Sequence, residues 1–187
     1  MMNERPSPPW PPSIEKLEPI EDAALTPKDP RLLQDPVLVC LRQHRQIVEI
    51  LGDLAVVVDA LAGDPTPVGD SSAVEDPIRR RLRLALGEMN RFLAPHRDTE
   101  ESVLFPYLFV QRPELSDLMD MLGDEHIGIF EEVRLLNEIA DRLALEPVLT
   151  PAHRAELGAP LRAFTEHVWR HTLTEESMIR AARRGQS

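Results

Sequence analysis

Apolar residues recur along this chain at alternating spacings of three and four, the signature of helices with one buried face. The first such stripe runs Leu41, His44, Ile47, Val48, Leu51, Leu54, Ala55, Val58, Leu61. Asp35-Pro36 opens it, since Asp caps a helix N-terminus and Pro suits the first helical position. Gly63 closes it, and the breaker-rich stretch 64–72 predicts a loop. Asp76-Pro77 repeats the opening, and a second stripe follows: Leu82, Leu86, Met89, Leu93, His96, Glu100, Val103, Leu104, Tyr107. Pro95 and Pro106 lie inside this pattern and predict local distortion, because proline removes a backbone donor and clashes with the preceding turn. Pro113 starts a third stripe of Leu115, Leu118, Met119, Leu122, His126, Ile129, Val133, Leu136, Ala140 and Leu143, which ends before Pro147. Thr150-Pro151 opens a fourth, with Leu157, Leu161, Phe164, Val168, His171, Glu175 and then Met178 or Ile179.

Four amphipathic helices with short connections after the second and third predict antiparallel neighbours. The expected fold is all-α, an up-down-up-down four-helix bundle over residues 37–187. Residues 1–36 hold nine of the chain's 18 prolines and are read as an extended Pro-rich N-terminal arm. Trp10, Ile14, Leu17 and Ile20 would let that arm lie along the bundle or meet a partner.

Composition narrows the function classes. The formal net charge of −11 argues against nucleic acid as a partner. The clusters Arg79–Arg81 with Arg83, and Arg180 with Arg183 and Arg184, are read as solvated helix faces or ends. No stretch reaches the ~20 apolar residues of a membrane span, and no apolar leader is evident. Cys40 is the single cysteine, so no intrachain disulfide can form. A cytoplasmic location is expected.

The unusual feature is what interrupts the apolar stripes. Each of the four helices carries a histidine on its buried face: His44, His96, His126 and His171. Two of them are followed one turn later on the same face by a glutamate, His96 by Glu100 and His171 by Glu175. Buried carboxylates are costly unless paired or bound to a metal. Imidazole with carboxylate suits iron, manganese or zinc. Four histidines and two glutamates are too many for one ion with an open position and about right for two. Each glutamate can then bridge both ions with its two oxygens, leaving room for an oxo or hydroxo bridge and a small ligand.

Neighbouring residues are weaker candidates. Glu101 and Glu176 lie 100° round the helix from the paired glutamates and are read as flanking charges, with an outer role at the site as the alternative. Tyr107 falls two turns after Glu100 on the expected ligand face, where it would either hydrogen-bond a small ligand or pack in the core. His167, one turn before His171, is open between a fifth histidine ligand, a group above an open metal position, and a packing residue. His153 is expected to be exposed, and Cys40 to be a small core residue one turn before His44.

The arrangement resembles the hemerythrin-like (HHE) family of di-iron four-helix bundles over roughly residues 37–184. The shared pattern is His44, then His96-x-x-x-Glu100 with Leu104-Phe105-Pro106, then Glu125-His126, then His171-x-x-x-Glu175. The resemblance implies two iron ions, Fe-O-Fe or hydroxo-bridged, and binding of or reaction with O2, NO or peroxide, in sensing, detoxification or iron handling. The His–Glu pairs also resemble the iron-centre repair branch, although the cysteine-bearing N-terminal domain often found there is missing. Oxygen-carrying hemerythrins differ in their second- and fourth-helix ligands, so simple O2 transport is not implied. Two other readings are open: a di-metal oxidase or peroxidase enzyme, and an interaction protein in which the metal is a structural staple.

Overall fold

The computed structural model describes residues 35–63 and 77–184. The Pro-rich arm and the proposed Asp76 cap lie outside the described residues. Helix α1 (Pro36–Ala62) begins as its sequence dictates: the Asp35 carboxylate accepts from the Val37 amide at 2.9 Å and Pro36 fills the first position. Helix α2 (Pro77–Thr99) passes into a π-helical turn at Glu100–Leu104 and on into α3 (Phe105–Gln111). A single 3-10 turn at Pro113–Leu115 leads to α4 (Ser116–Ala144), and α5 (Pro151–Arg184) is the last described element. Among the described residues no strand occurs.

The start of α5 shows how a local sequence sets a helix end. The Thr150 hydroxyl accepts from the His153 amide at 3.2 Å, while His153 Nδ1 accepts from the Thr150 amide at 3.4 Å. This is a capping box with histidine in the place of the usual glutamate. His153 is therefore half-buried by its capping role rather than simply exposed.

Side-chain pairs between helices fix their directions. Gln43 reaches Thr99 and Arg81 reaches Asp53, so α1 and α2 run antiparallel. Asn90 pairs with Asn137 and Glu101 with His126, which opposes the α2–α3 rod to α4. Glu132–His167 and Glu125–His171 do the same for α4 and α5. Arg183–Asp35 and Arg154 to the Ala60 carbonyl close the ring between α5 and α1. The bundle is up-down-up-down, with the α2–α3 rod as its second member.

The interior has three layers. One apolar core lies among the C-terminal halves of α1 and α4 and the N-terminal halves of α2 and α5, with Leu54, Val58, Leu86, Met89, Val133, Leu136, Leu161 and Phe164 at its centre. A smaller one lies at the opposite end, formed by Val37, Leu41, Leu104, Leu108, Leu122, Met178 and Ile179. Between them sits a buried polar layer of His44, His96, Glu100, His126, His171 and Glu175, each no more than 4% exposed.

The π-turn corrects one expectation. The regular period predicts Val103, Leu104 and Tyr107 on the buried face after Glu100. The buried residues are instead Leu104, Phe105 and Leu108, while Val103 is 50% and Tyr107 41% exposed. The Phe105 amide bonds the Glu100 carbonyl, five residues back rather than four. This adds one residue to the turn and moves the buried stripe on by one position. Pro106 is the local cause: it has no amide to offer Ser102, and its ring would clash with that carbonyl in a regular helix. Pro95, by contrast, is accommodated within α2.

Candidate metal centre

The six residues singled out on the buried stripes converge. Glu100 is entirely buried, and its two oxygens face different histidines. Oε1 lies 3.3 Å from His44 Nε2 and 3.3 Å from His96 Nε2, and Oε2 lies 3.1 Å from His126 Nε2. Glu175 mirrors it, with Oε2 3.1 Å from His44 Nε2 and Oε1 3.0 Å from His171 Nε2. All four imidazoles thus turn Nε2 inward, and each carboxylate spans both histidine pairs. The rings of His44 and His96 are 5.0 Å apart and those of His126 and His171 4.8 Å, so the site has two halves.

Three of the outward Nδ1 atoms are held by a second set of residues, while that of His44 has no hydrogen-bond partner. Glu101 Oε1 stands 3.0 Å from His126 Nδ1, and Glu125 Oε2 stands 2.9 Å from His171 Nδ1. Gln43 Oε1 is 3.4 Å from His96 Nδ1, and Glu176 Oε1 is 3.7 Å from His44 Nδ1. An acceptor at Nδ1 fixes the proton there and leaves the Nε2 lone pair free to point inward. Glu101 is therefore an orienting group although its side chain is exposed. Glu176 is not a flanking charge at all: it is buried beside His44 and anchored by Arg180 at 2.9 Å.

Without an ion the buried groups act strongly on one another: burial lowers His44, but Cys40, Glu100 and Glu175 outweigh it and raise that imidazole well above its ordinary value. Burial alone would raise the Glu100 carboxyl, but His96, His126 and His44 outweigh it and hold Glu100 well below the usual carboxylate range. Burial pushes His96 down to about 4 against the pull of Glu100, so its imidazole is neutral. His126 and His171 are each lowered by burial but raised overall, by Glu100 with Glu101 and by Glu175 with Glu125.

The buried polar atoms test whether ions fit. Nε2 of His96, Nε2 of His171 and both Glu175 oxygens have no hydrogen-bond partner. His171 Nε2 and Glu175 Oε1 approach to 3.0 Å without hydrogen-bond alignment. Unsatisfied buried groups are strongly disfavoured in a native core. Donor atoms aimed at a shared point between them, rather than at one another, are what a bound cation explains. Donor sets within 4.8 Å of one another form around each half: Cys40, His44, His96, Glu100 on one side, and Glu100, His126, His171, Glu175 on the other.

The model of the hemerythrin HHE cation binding domain matches residues 35–182. The chain belongs to that family. The family is named for cation binding, and the two buried donor sets are groups that could hold a metal ion. No curated protein and no solved structure shows a significant match. No described helix of the domain is long and apolar enough to cross a membrane.

Three further residues are placed by the structure: of the alternatives open for His167 it favours the packing one, Cys40 is the buried core residue expected, and Tyr107 departs from the expected ligand face. His167 does not join the cluster: its Nδ1 pairs with Glu132 at 3.0 Å, near the bundle surface. Its one-turn spacing from His171 puts it on the right side of α5, but α4 offers it a carboxylate first. Tyr107 is carried outward by the π-turn and borders a separate cavity beside Asp35 and Arg183. Cys40 is entirely buried, with Sγ 3.1 Å from Glu100 Oε1 and 3.3 Å from His44 Nε2. Its spacing of four from His44 was the one sequence signal for that placement. Burial pushes its thiol up to about 12, against the influence of His44, so without a cation the thiol keeps its proton.

Proposed function

We propose that the bundle holds two iron ions and binds or reacts with a small molecule: O2, NO or peroxide. His44 and His96 would hold one ion and His126 and His171 the other, with Glu100 and Glu175 bridging both. The single observation behind this reading is the pair of entirely buried carboxylates that each reach both histidine pairs. Such ions supply redox chemistry and an open position. Manganese or zinc satisfies the same donor types, and imidazole–carboxylate sets suit all three.

What the chain's own residues contribute is selection by size and dryness. A cavity of about 10 Å³ touches His96, His126 and His171, of the order needed for one water-sized molecule. Its other walls are apolar: Ile47, Leu93, Ile129, Phe130 and Val168. Thr172 also lines it, and its buried hydroxyl has no partner. Such a space is on the scale of one water molecule, and a larger organic substrate does not fit it. This favours a small-ligand centre over an oxidase acting on organic substrates.

Metal analysis of protein purified without added metal, with visible spectra under air and under NO, tests the reading. Two iron ions per chain and a spectrum that changes with NO are expected. Fewer than two ions, or a spectrum indifferent to every small ligand, would overturn it. Stripping the metal separates a working centre from a structural staple, since only the former shows ligand-dependent absorption.

A further inference from the structure

The sulfur of Cys40 occupies a ligand's place. Donor atoms held by one ion at ~2.1 Å for nitrogen or oxygen and ~2.3 Å for sulfur stand roughly 3.0–3.6 Å apart when adjacent in its shell. Cys40 Sγ lies 3.1 Å from Glu100 Oε1 and 3.3 Å from His44 Nε2. The separations of Glu100 Oε1 from His44 Nε2 and from His96 Nε2, both 3.3 Å, fall in the same window. A second observation points to the same spot: His96 Nε2 is buried without any hydrogen-bond partner and faces the same Glu100 oxygen.

The other half of the site supplies a control. Leu122 stands four residues before His126 as Cys40 stands four before His44, and it is just as fully buried. Core packing at that position is met by an apolar side chain. At the equivalent position of the first half a thiol stands instead, beside Glu100 Oε1 and His44 Nε2.

We propose that Cys40 is a thiolate ligand to the ion held by His44, His96 and Glu100, so that the two ions have different donor sets. The proposal rests on the two-ion reading above. On loading, the S–H bond breaks, a metal–sulfur bond forms and the proton leaves to solvent, with no change of oxidation state. A cation deprotonates a coordinating thiol outright. Two divalent ions bring four positive charges; Glu100 and Glu175 cancel two, and the thiolate cancels a third. The cavity touches both histidines of the second pair, His126 and His171, but only His96 of the first, and neither His44 nor Cys40. The thiolate would close a position on the first ion on the side away from that cavity, leaving the small ligand the side that faces His126 and His171.

Cobalt(II) loaded into the full chain is the probe. Wild type should take up two cobalt ions and show a sulfur-to-cobalt charge-transfer band in the near ultraviolet. Cys40→Ala and Cys40→Ser should lose the band, keep one ion at unchanged affinity and weaken the other by at least the ~10-fold that disturbing a ligand's support costs. Two bound cobalt ions without the band, or a band that survives Cys40→Ala, would overturn the ligand role and leave the two-ion reading standing. Fewer than two ions in wild type would overturn both. X-ray absorption at the metal edge of wild type decides the matter without a variant: one sulfur at ~2.3 Å is expected, and a shell of nitrogen and oxygen alone refutes it.

Discussion

The α1–α2 half and the α4–α5 half of the centre carry the same His and His-x-x-x-Glu elements, yet they are built differently around them. In the α4–α5 half both outward ring nitrogens meet carboxylates, Glu101 at 3.0 Å and Glu125 at 2.9 Å. In the α1–α2 half His96 meets the neutral amide of Gln43 at 3.4 Å, and Glu176 stands 3.7 Å from His44. Carboxylates behind imidazoles make them stronger bases and hold them more firmly. Glu175 projects from a regular helix, whereas Glu100 opens a π-turn. Cys40 lies in the first half where Leu122 lies in the second. A repeated motif thus yields two inequivalent halves, because the residues between the motif positions are not repeated.

The largest effects should come from what the halves share. If two ions are bridged as proposed, Glu100→Ala or Glu175→Ala would remove a bridge and leave the cations facing each other, so either variant should lose most of its metal at both halves. His153→Ala, which touches only a helix cap, should keep wild-type content. Metal analysis after gel filtration checks this, and equal content in all three variants would refute bridging.

Leu122→Ala probes the apolar counterpart of Cys40. Leu122 is fully buried in the smaller core, and such truncations cost about 2–5 kcal/mol. Urea unfolding of the metal-loaded protein should show that loss. A change well below it would mean that the smaller core is loosely packed and that Leu122 is no guide to the demands at Cys40.

The outer partners sharpen the contrast more gently. Glu125→Gln should weaken the ion at His126 and His171 by roughly 10–100-fold. Gln43→Ala should weaken the ion at His44 and His96 by less, since an amide is lost rather than a charge. Competition with a chelator of known affinity measures both. Equal losses would mean that the two halves are backed equally well.

His167→Ala should have the smallest effect. Its partner Glu132 is half-buried at the bundle surface, and ion pairs near the surface contribute about 0–1 kcal/mol. Metal content, spectrum and NO binding should match wild type. A changed spectrum would show that His167 leaves Glu132 and reaches the centre when ions are bound.

Local rules accounted for much of this molecule. Asp35-Pro36, Thr150-Pro151, Pro113 and Pro147 mark helix limits within a residue or a turn, because capping and the lost proline amide act over one turn. The spacing of four that puts His96 with Glu100, and His171 with Glu175, is a property of any α-helix. What tertiary structure decided lies between helices. Cys40 meets Glu100 across 60 positions of chain, and His171 meets Glu125 across 46. Periodicity along one helix carries no information about its axial register against another. The π-turn sits at the boundary of the two: Pro106 announced a distortion. The one-residue advance places Leu104, Phe105 and Leu108 in the smaller core and turns Tyr107 outward, an outcome the helical period alone did not give.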